Sequence, residues 1–157
     1  MQRKLSGADR KILKVLQTEG RLPNVELAER VGMSPSPCLR RLRQLESDGI
    51  ISGYTAQVDR RKVGLNVEAF VRVNLERHKD TDAANFVAAV SRMPEVVACY
   101  MMAGEMDFLL RVVVADLDAF GQFTRDRLTR VPSVKDVHTS FVIEVAKDSP
   151  RVPVEII

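Results

Sequence analysis

Residues 34–49 read SPSPCLRRLRQLESDG and combine the leucine spacing of an amphipathic helix with two prolines that ordinarily interrupt one. The first four N–H groups of a helix have no intrahelical acceptor. With Ser34 as N-cap, Pro35 and Pro37 therefore fall where neither removes a needed hydrogen bond. Ser36 keeps an N–H for the Ser34 hydroxyl. The stretch is predicted to be a helix that begins at Pro35 and ends at its final glycine.

Two shorter helices are predicted upstream of this stretch. Residues 6–19 carry apolar side chains at helical spacing, with Ser6 as N-cap and Asp9 at the third helical position. A second helix begins at Asn24 and ends at Gly32. Because only two residues then precede Ser34, the pattern is typical of a helix-turn-helix unit.

The helix that begins at Pro35 has one apolar face and one basic face. A basic helix alone is also compatible with an ordinary solvated surface, but its place as third helix favours DNA. We predict that Arg40 and Arg41 approach base edges in the major groove, where arginine can bind guanine through two hydrogen bonds, and that Arg43 touches phosphate. The predicted DNA-binding residues are Ser34, Ser36, Pro37, Arg40, Arg41, Arg43 and Gln44.

Charge is divided unevenly along the 157 residues. Residues 1–62 carry 13 Lys and Arg against 7 Asp and Glu, a net charge of +6, whereas residues 63–157 carry 11 against 14, a net of −3. A basic module attracts polyanions, so the predicted macromolecular partner is double-stranded DNA.

Other features narrow the class of protein. No apolar run approaches the roughly 20 residues that span a bilayer, and the N-terminus lacks a signal-peptide core, so a cytoplasmic, DNA-associated protein is predicted. Cys38 and Cys99 lie far apart and are interpreted as small buried hydrophobes, with no metal or cofactor. His78 and His138 have no catalytic partner at readable spacing, so the protein is predicted not to be an enzyme.

After residue 49 the hydrophobic period changes. Ile50, Ile51, Tyr54 and Val58 suggest a strand that leaves the basic module, and residues 60–66, RRKVGLN, read as a hinge. The predicted organisation is a DNA-binding domain at 1–50, a strand linker at 51–64, and a ligand-binding and oligomerisation domain at 65–157.

The second module alternates strand and helix signals in the order βαββαβ. This order predicts a ferredoxin-like, antiparallel sheet with both helices on one side, and hence an α+β protein of two domains. Because the strands are apolar, the free face is expected to be covered by a second copy, giving a homodimer. The strands are predicted at 67–75, 96–103, 108–115 and 137–145, and the helices at 83–93 and 117–131.

This arrangement resembles the Lrp/AsnC family of feast/famine transcriptional regulators over essentially the whole chain. The matching segments are DRKILKVLQTEGR at 9–21, ELAERVGMSPSPCLRRLRQLESDGIISGYTAQVD at 26–59 and AGEMDFLL at 103–110. The resemblance implies a winged-type helix-turn-helix and an amino-acid-sensing protein whose dimers assemble into tetramers or octamers and bend DNA. It leaves open which amino acid is sensed.

The family places its effector between dimers, against the turn that here reads Gly104-Glu105-Met106-Asp107. Such a turn can present N–H groups to an α-carboxylate, and Asp107 can accept a hydrogen bond from an α-ammonium. A plain hairpin turn, with Asp107 as a turn former, is the alternative. The predicted effector residues are Tyr100, Met102, Gly104, Glu105, Met106, Asp107, Thr139 and Ser140.

Two other functions stay open at the level of sequence. One is an architectural protein that compacts DNA with little sequence preference and needs no effector. The other is a metabolic enzyme or its regulatory subunit, which the ferredoxin-like module alone would allow. The missing His, Cys or paired-acid constellation argues against the enzyme.

Overall fold

The computed structural model describes residues 4–76 and 80–156, and the chain divides into two compact units. Unit one comprises Met1–Gln57 together with Lys147–Ile157, and unit two is Val58–Ala146. This division differs from the predicted one, in which all of residues 65–157 form the second domain. The last residues belong to unit one because Val154, only 5% exposed, packs in the hydrophobic core of the N-terminal helices.

Unit one contains the three predicted helices: α1 (Gly7–Leu16), α2 (Asn24–Val31) and α3 (Pro35–Ser47). The start of α1 is a capping box, as its sequence predicts. The Asp9 N–H donates to the Ser6 hydroxyl, and the Asp9 carboxylate accepts from the Ser6 N–H. The buried core of the unit is formed by Ile12, Leu13, Leu27, Ala28, Val31, Cys38, Leu45 and Val154.

The turn between α2 and α3 has the predicted tight form. Gly32 ends α2 in the left-handed region, at φ 70°, and α3 begins at Pro35. The predicted hydrogen bond from the Ser36 N–H to the Ser34 hydroxyl is wrong, since the Ser34 side chain makes no capping hydrogen bond. Proline at the third helical position removes one of the two N–H groups that a serine cap uses. The Asn24 amide instead donates to the Pro35 carbonyl at 2.9 Å.

The strand predicted within residues 50–58 is wrong for the described chain. These residues pair with no strand, and unit one contains no strand among its described residues. A strand needs a neighbour to satisfy its N–H and carbonyl groups, and the apolar pattern cannot supply one. The segment is instead tied back to α3 by the Tyr54 hydroxyl, which donates to Glu46 at 2.9 Å.

Unit two has the predicted βαββαβ order. Its strands form one antiparallel sheet in the order β2-β3-β1-β4. The last strand starts and ends earlier than the predicted 137–145, because it pairs with β1 from Val134 opposite Leu75 to Phe141 opposite Ala69. The elements are β1 (Val67–Leu75), α4 (Asp80–Val90), β2 (Val96–Met101), β3 (Phe108–Val114), α5 (Leu117–Asp126), a 3-10 turn (Leu128–Arg130) and β4 (Val134–Phe141).

Strand alternation gives the sheet two different faces. Ala69, Val71 and Val73 of β1 are fully buried in a core that α4 and α5 complete, where the rings of Phe86 and Phe108 lie 4.6 Å apart. The intervening residues of β1 point to the other face, which neither helix covers. We call this second surface the open face of the sheet.

Candidate DNA-binding and effector sites

One face of α3 is polar and exposed. Of the seven predicted DNA-binding residues, all except Arg41 are exposed. Ser36, Arg40, Arg43 and Gln44 form one continuous surface along the helix. Within residues 4–76 and 80–156, no hydrogen-bond or ion-pair partner holds the Arg40 or Arg43 guanidinium. Both are therefore available to a partner outside the chain.

Arg41 is engaged inside unit one, which differs from the predicted role at base edges. Its Nη1 donates to the Asp9 carboxylate and to the Ser6 hydroxyl, each at 3.1 Å. Asp9 is 1% exposed, so the guanidinium neutralises a buried charge and ties α3 to the start of α1. The helical phase contained this signal, because position 41 lies three residues after Cys38 and four before Leu45, both buried.

The predicted effector turn is open to solvent at its tip. Gly104 has φ 132°, a conformation that L side chains rarely adopt, and no atom lies within 4 Å of the position a Cβ would take. The Met102 N–H donates to the Asp107 carbonyl at 2.9 Å and closes the turn. Glu105 and Tyr100 are also exposed. The structure therefore brings together the six predicted effector residues from 100 to 107.

Asp107 already has a structural task. Its Oδ2 accepts the Leu75 N–H at 2.7 Å, where the β1–β4 ladder becomes irregular, and its own N–H donates to the Asn74 side chain at 3.2 Å. The Asn74 amide in turn donates to Asp136 at 3.0 Å. The carboxylate thus caps the end of β1. An α-ammonium could bind it only by sharing it with the Leu75 N–H.

The two remaining effector residues lie elsewhere in the chain. Thr139 and Ser140 are on β4, at the opposite edge of the sheet from Tyr100 on β2. Three strand spacings separate these edges, roughly 14 Å. Thr139 lies opposite Val71 on the helix-covered face, whereas Ser140 lies opposite Phe70 on the open face. One chain therefore does not gather all eight predicted residues around one pocket.

Glu68 is a charged residue that the sequence analysis missed. It is 3% exposed and accepts hydrogen bonds from Arg60 Nε at 3.1 Å and Arg111 Nε at 2.5 Å. Arg60 also donates to the carbonyls of Leu65 and Asn66, at 2.8 and 3.0 Å. The three side chains form an ion cluster where the hinge enters β1. No pattern in the sequence indicates that Glu68 belongs to an ion cluster, because its partners lie 8 and 43 residues away.

The cysteines and histidines are the remaining residues with reactive side chains that the sequence draws attention to. Burial raises the pKa of the Cys38 and Cys99 thiols, which keeps them protonated. His138 lies 3.4 Å from Asp136, and His78 lies outside the described residues. No group of three potential metal ligands occurs within the two described ranges. No helix in that part of the chain has the length and apolar character needed to cross a bilayer.

Two family models match the chain along its length. Residues 5–52 match a winged helix-turn-helix DNA-binding model, and residues 68–152 match the Lrp/AsnC ligand binding domain. The chain belongs to the Lrp/AsnC family. This Lrp/AsnC protein is accordingly a DNA-binding transcriptional regulator that carries its ligand-binding domain after the helix-turn-helix.

Curated relatives cover nearly the whole of this Lrp/AsnC protein. It is 39% identical to the leucine-responsive regulatory protein of Salmonella typhimurium, over 96% of this chain and 92% of that protein. It is 40% identical to the DNA-binding transcriptional activator DecR of Escherichia coli, over 96% and 99% of the two chains.

Solved structures with the same fold include two complexes with methionine. A transcriptional regulator from Neisseria meningitidis in complex with L-Met has a TM-score of 0.94 at 43% identity, covering 98% of this chain and 99% of that one. The feast or famine regulatory protein of M. tuberculosis complexed with L-methionine has a TM-score of 0.86 at 29% identity, covering 95% and 99%.

Proposed function

We propose that the exposed face of α3 reads DNA in the major groove and that an apolar amino acid, bound at the turn around Gly104, modulates this binding. The observation that carries the DNA assignment is the pair of unpartnered guanidinium groups, Arg40 and Arg43, on one exposed helical surface. Arginine is well suited to such a surface because it can bind guanine or phosphate.

Methionine is the effector we propose to test first. The two relatives solved with methionine support an amino acid of this kind. In this chain Met101, Met102 and Met106 lie around the turn, and methionine side chains adapt readily to an apolar ligand. The N–H groups of the Gly104 turn would hold the α-carboxylate.

A homodimer, with further assembly into tetramers or octamers, completes this proposal. The open face of the sheet carries Phe70 and Tyr100, both exposed, together with half-buried Leu109. Apolar side chains grouped on a face without helices favour burial by a second copy. Further assembly between copies would also allow Thr139 and Ser140 of one chain to approach the Gly104 turn of another.

Arg40→Ala is expected to weaken binding to a selected duplex by about 1 to 3 kcal/mol and to relax the preference at one base position. Arg43→Ala is the matched comparison from the same helix. Loss of its predicted phosphate contact should weaken binding to selected and random duplexes equally. It should also reduce the slope of log binding constant against log salt concentration by about one. Fluorescence anisotropy across a salt series measures both effects. Equal weakening of selected and random DNA by Arg40→Ala would instead support the architectural alternative.

Gly104→Ala is expected to remove the response to methionine. An L side chain at φ 132° strains the turn by about 1 to 3 kcal/mol and displaces its N–H groups. Methionine at a hundredfold excess over its Kd should stabilise the wild type by about 2.7 kcal/mol in a thermal-shift experiment, and this gain should disappear in the variant. Gly53→Ala is the control, since Gly53 is exposed and has no positive φ. If Gly104→Ala is stabilised by methionine as strongly as the wild type, the effector site lies elsewhere.

A further inference from the structure

The C-terminal tail, residues 147–156, is docked on α1 of unit one. Val154 lies in the core of the three helices, and a short 3-10 turn (Val154–Ile156) carries it. The Gln17 side chain makes two hydrogen bonds with the Val152 backbone: its amide donates to the carbonyl at 3.1 Å, and its oxygen accepts the N–H at 2.6 Å. Lys14 pairs with Glu155 at 2.7 Å.

These contacts are specific to a few positions of the tail. The reciprocal hydrogen bonds satisfy both the N–H and the carbonyl of Val152, as a neighbouring strand would. Val154 is buried whereas Ile156, two residues later, is 80% exposed. The Lys14–Glu155 pair is exposed on both sides and contributes little by itself. Val154 and the Gln17 bonds therefore define where the tail docks.

The chain upstream of the tail begins at the sheet. The Val142 N–H donates to the Glu68 carbonyl at 2.9 Å, which continues the pairing of β4 with β1. After Ala146 the chain enters unit one. The two units are therefore joined by two covalent connections, one before β1 and one after β4. Val154 and Val152 are the tail residues whose contacts hold the second connection to unit one.

We propose that the docked tail is a second connection through which amino-acid binding in unit two changes the DNA affinity of unit one. This inference rests on the proposed function, since it concerns the route by which the effector acts. Val154 and Gln17 are positioning residues in this account, because their contacts hold the tail on unit one. When the tail is detached, DNA and the amino acid still bind, but binding of one no longer changes the affinity for the other.

The test compares three variants of the full chain: Val154→Asp, which places a charge in the core and detaches the tail; Gln17→Ala, which removes only the two hydrogen bonds; and Ile156→Asp, a control that adds the same charge at an exposed site. The Kd for a selected duplex is measured with and without saturating L-methionine. Calorimetry gives the methionine Kd, and hydrogen exchange at the Val152 N–H reports whether the tail is docked.

In the wild type and in Ile156→Asp, methionine is expected to change the DNA Kd by the same factor, roughly 5- to 150-fold. In Val154→Asp the factor should fall to less than about twofold, with methionine still bound, and Gln17→Ala should lie between the two. Because Gln17 is a half-buried side chain outside the core, that variant tests the proposal even if Val154→Asp loosens unit one.

Two results would overturn the proposal alone. One is a wild-type coupling factor in Val154→Asp or Gln17→Ala after exchange has shown the tail to be free. The other is an equal loss of coupling in Ile156→Asp with the tail still docked. If bound methionine leaves the DNA Kd of the wild type unchanged, the proposed function itself fails, and this inference fails with it.

Discussion

Arg41→Ala is expected to lower the free energy of unfolding of unit one by about 3 kcal/mol, although the residue lies on the helix that is proposed to read DNA. Removing the guanidinium takes away the ion pair between Arg41 and the buried Asp9 carboxylate, while the hydrogen bonds from Ser6 remain. Hydrogen exchange of the full chain measures this, since amides of α1 to α3 should exchange faster while those of unit two keep their protection.

Arg43→Ala is the control for this prediction. It removes the same side chain two residues later on α3, from an exposed position, and should change stability by less than about 0.5 kcal/mol. DNA binding by Arg41→Ala should recover at low temperature, where unit one is folded. If Arg41→Ala keeps full protection yet loses sequence preference, the guanidinium leaves Asp9 to contact DNA, and the predicted base contact is right.

Glu68→Ala is expected to destabilise unit two by about 3 kcal/mol, because it removes the carboxylate that two half-buried guanidinium groups share. Arg60 and Arg111 both donate to this one carboxylate. Arg60 also holds the Leu65 and Asn66 carbonyls, so the entry of the hinge into β1 should loosen as well. Urea unfolding, followed by circular dichroism, measures the loss in the full chain.

Glu76→Ala is the matched control for Glu68. It removes the same side chain just after the same strand, where Glu76 is exposed. Its expected change is within about 0.5 kcal/mol. Glu68→Gln should fall between the two, since an amide keeps the shape but not the charge. Equal midpoints for Glu68→Ala and Glu76→Ala would show that the ion cluster contributes nothing net to stability.

Much of the fold could be predicted because its signals are local. The period-2 alternation of Ala69, Val71 and Val73 marks a strand with one buried side, and Ser6 with Asp9 marks the start of a helix within four residues. The segment 50–58 shows the limit of such signals. It has strand composition, but composition does not provide the neighbour that a strand requires. Val154 shows another limit of local signals, because the tail that carries it is too short to display a hydrophobic period.

The site residues divide in a similar way. Arg40 and Arg41 are adjacent and chemically identical, and only the 100° turn between them places one outside and the other against Asp9. Composition cannot separate them, although helical phase can. The separation of Tyr100 from Ser140 could be predicted from the sequence, because the βαββαβ order already places β2 and β4 at opposite edges. The ion cluster around Glu68 could not be predicted, since it depends on tertiary contacts.

The position of Val154 also sets an order of events during synthesis. This residue leaves the ribosome after all of Val58–Ala146, yet it belongs to the core that α1, α2 and α3 form first. While the sheet is being made, the three helices have a gap in that core and lack the hydrogen bonds of Val152. The buried core of the DNA-binding unit is therefore completed only after the ligand-binding unit has been translated.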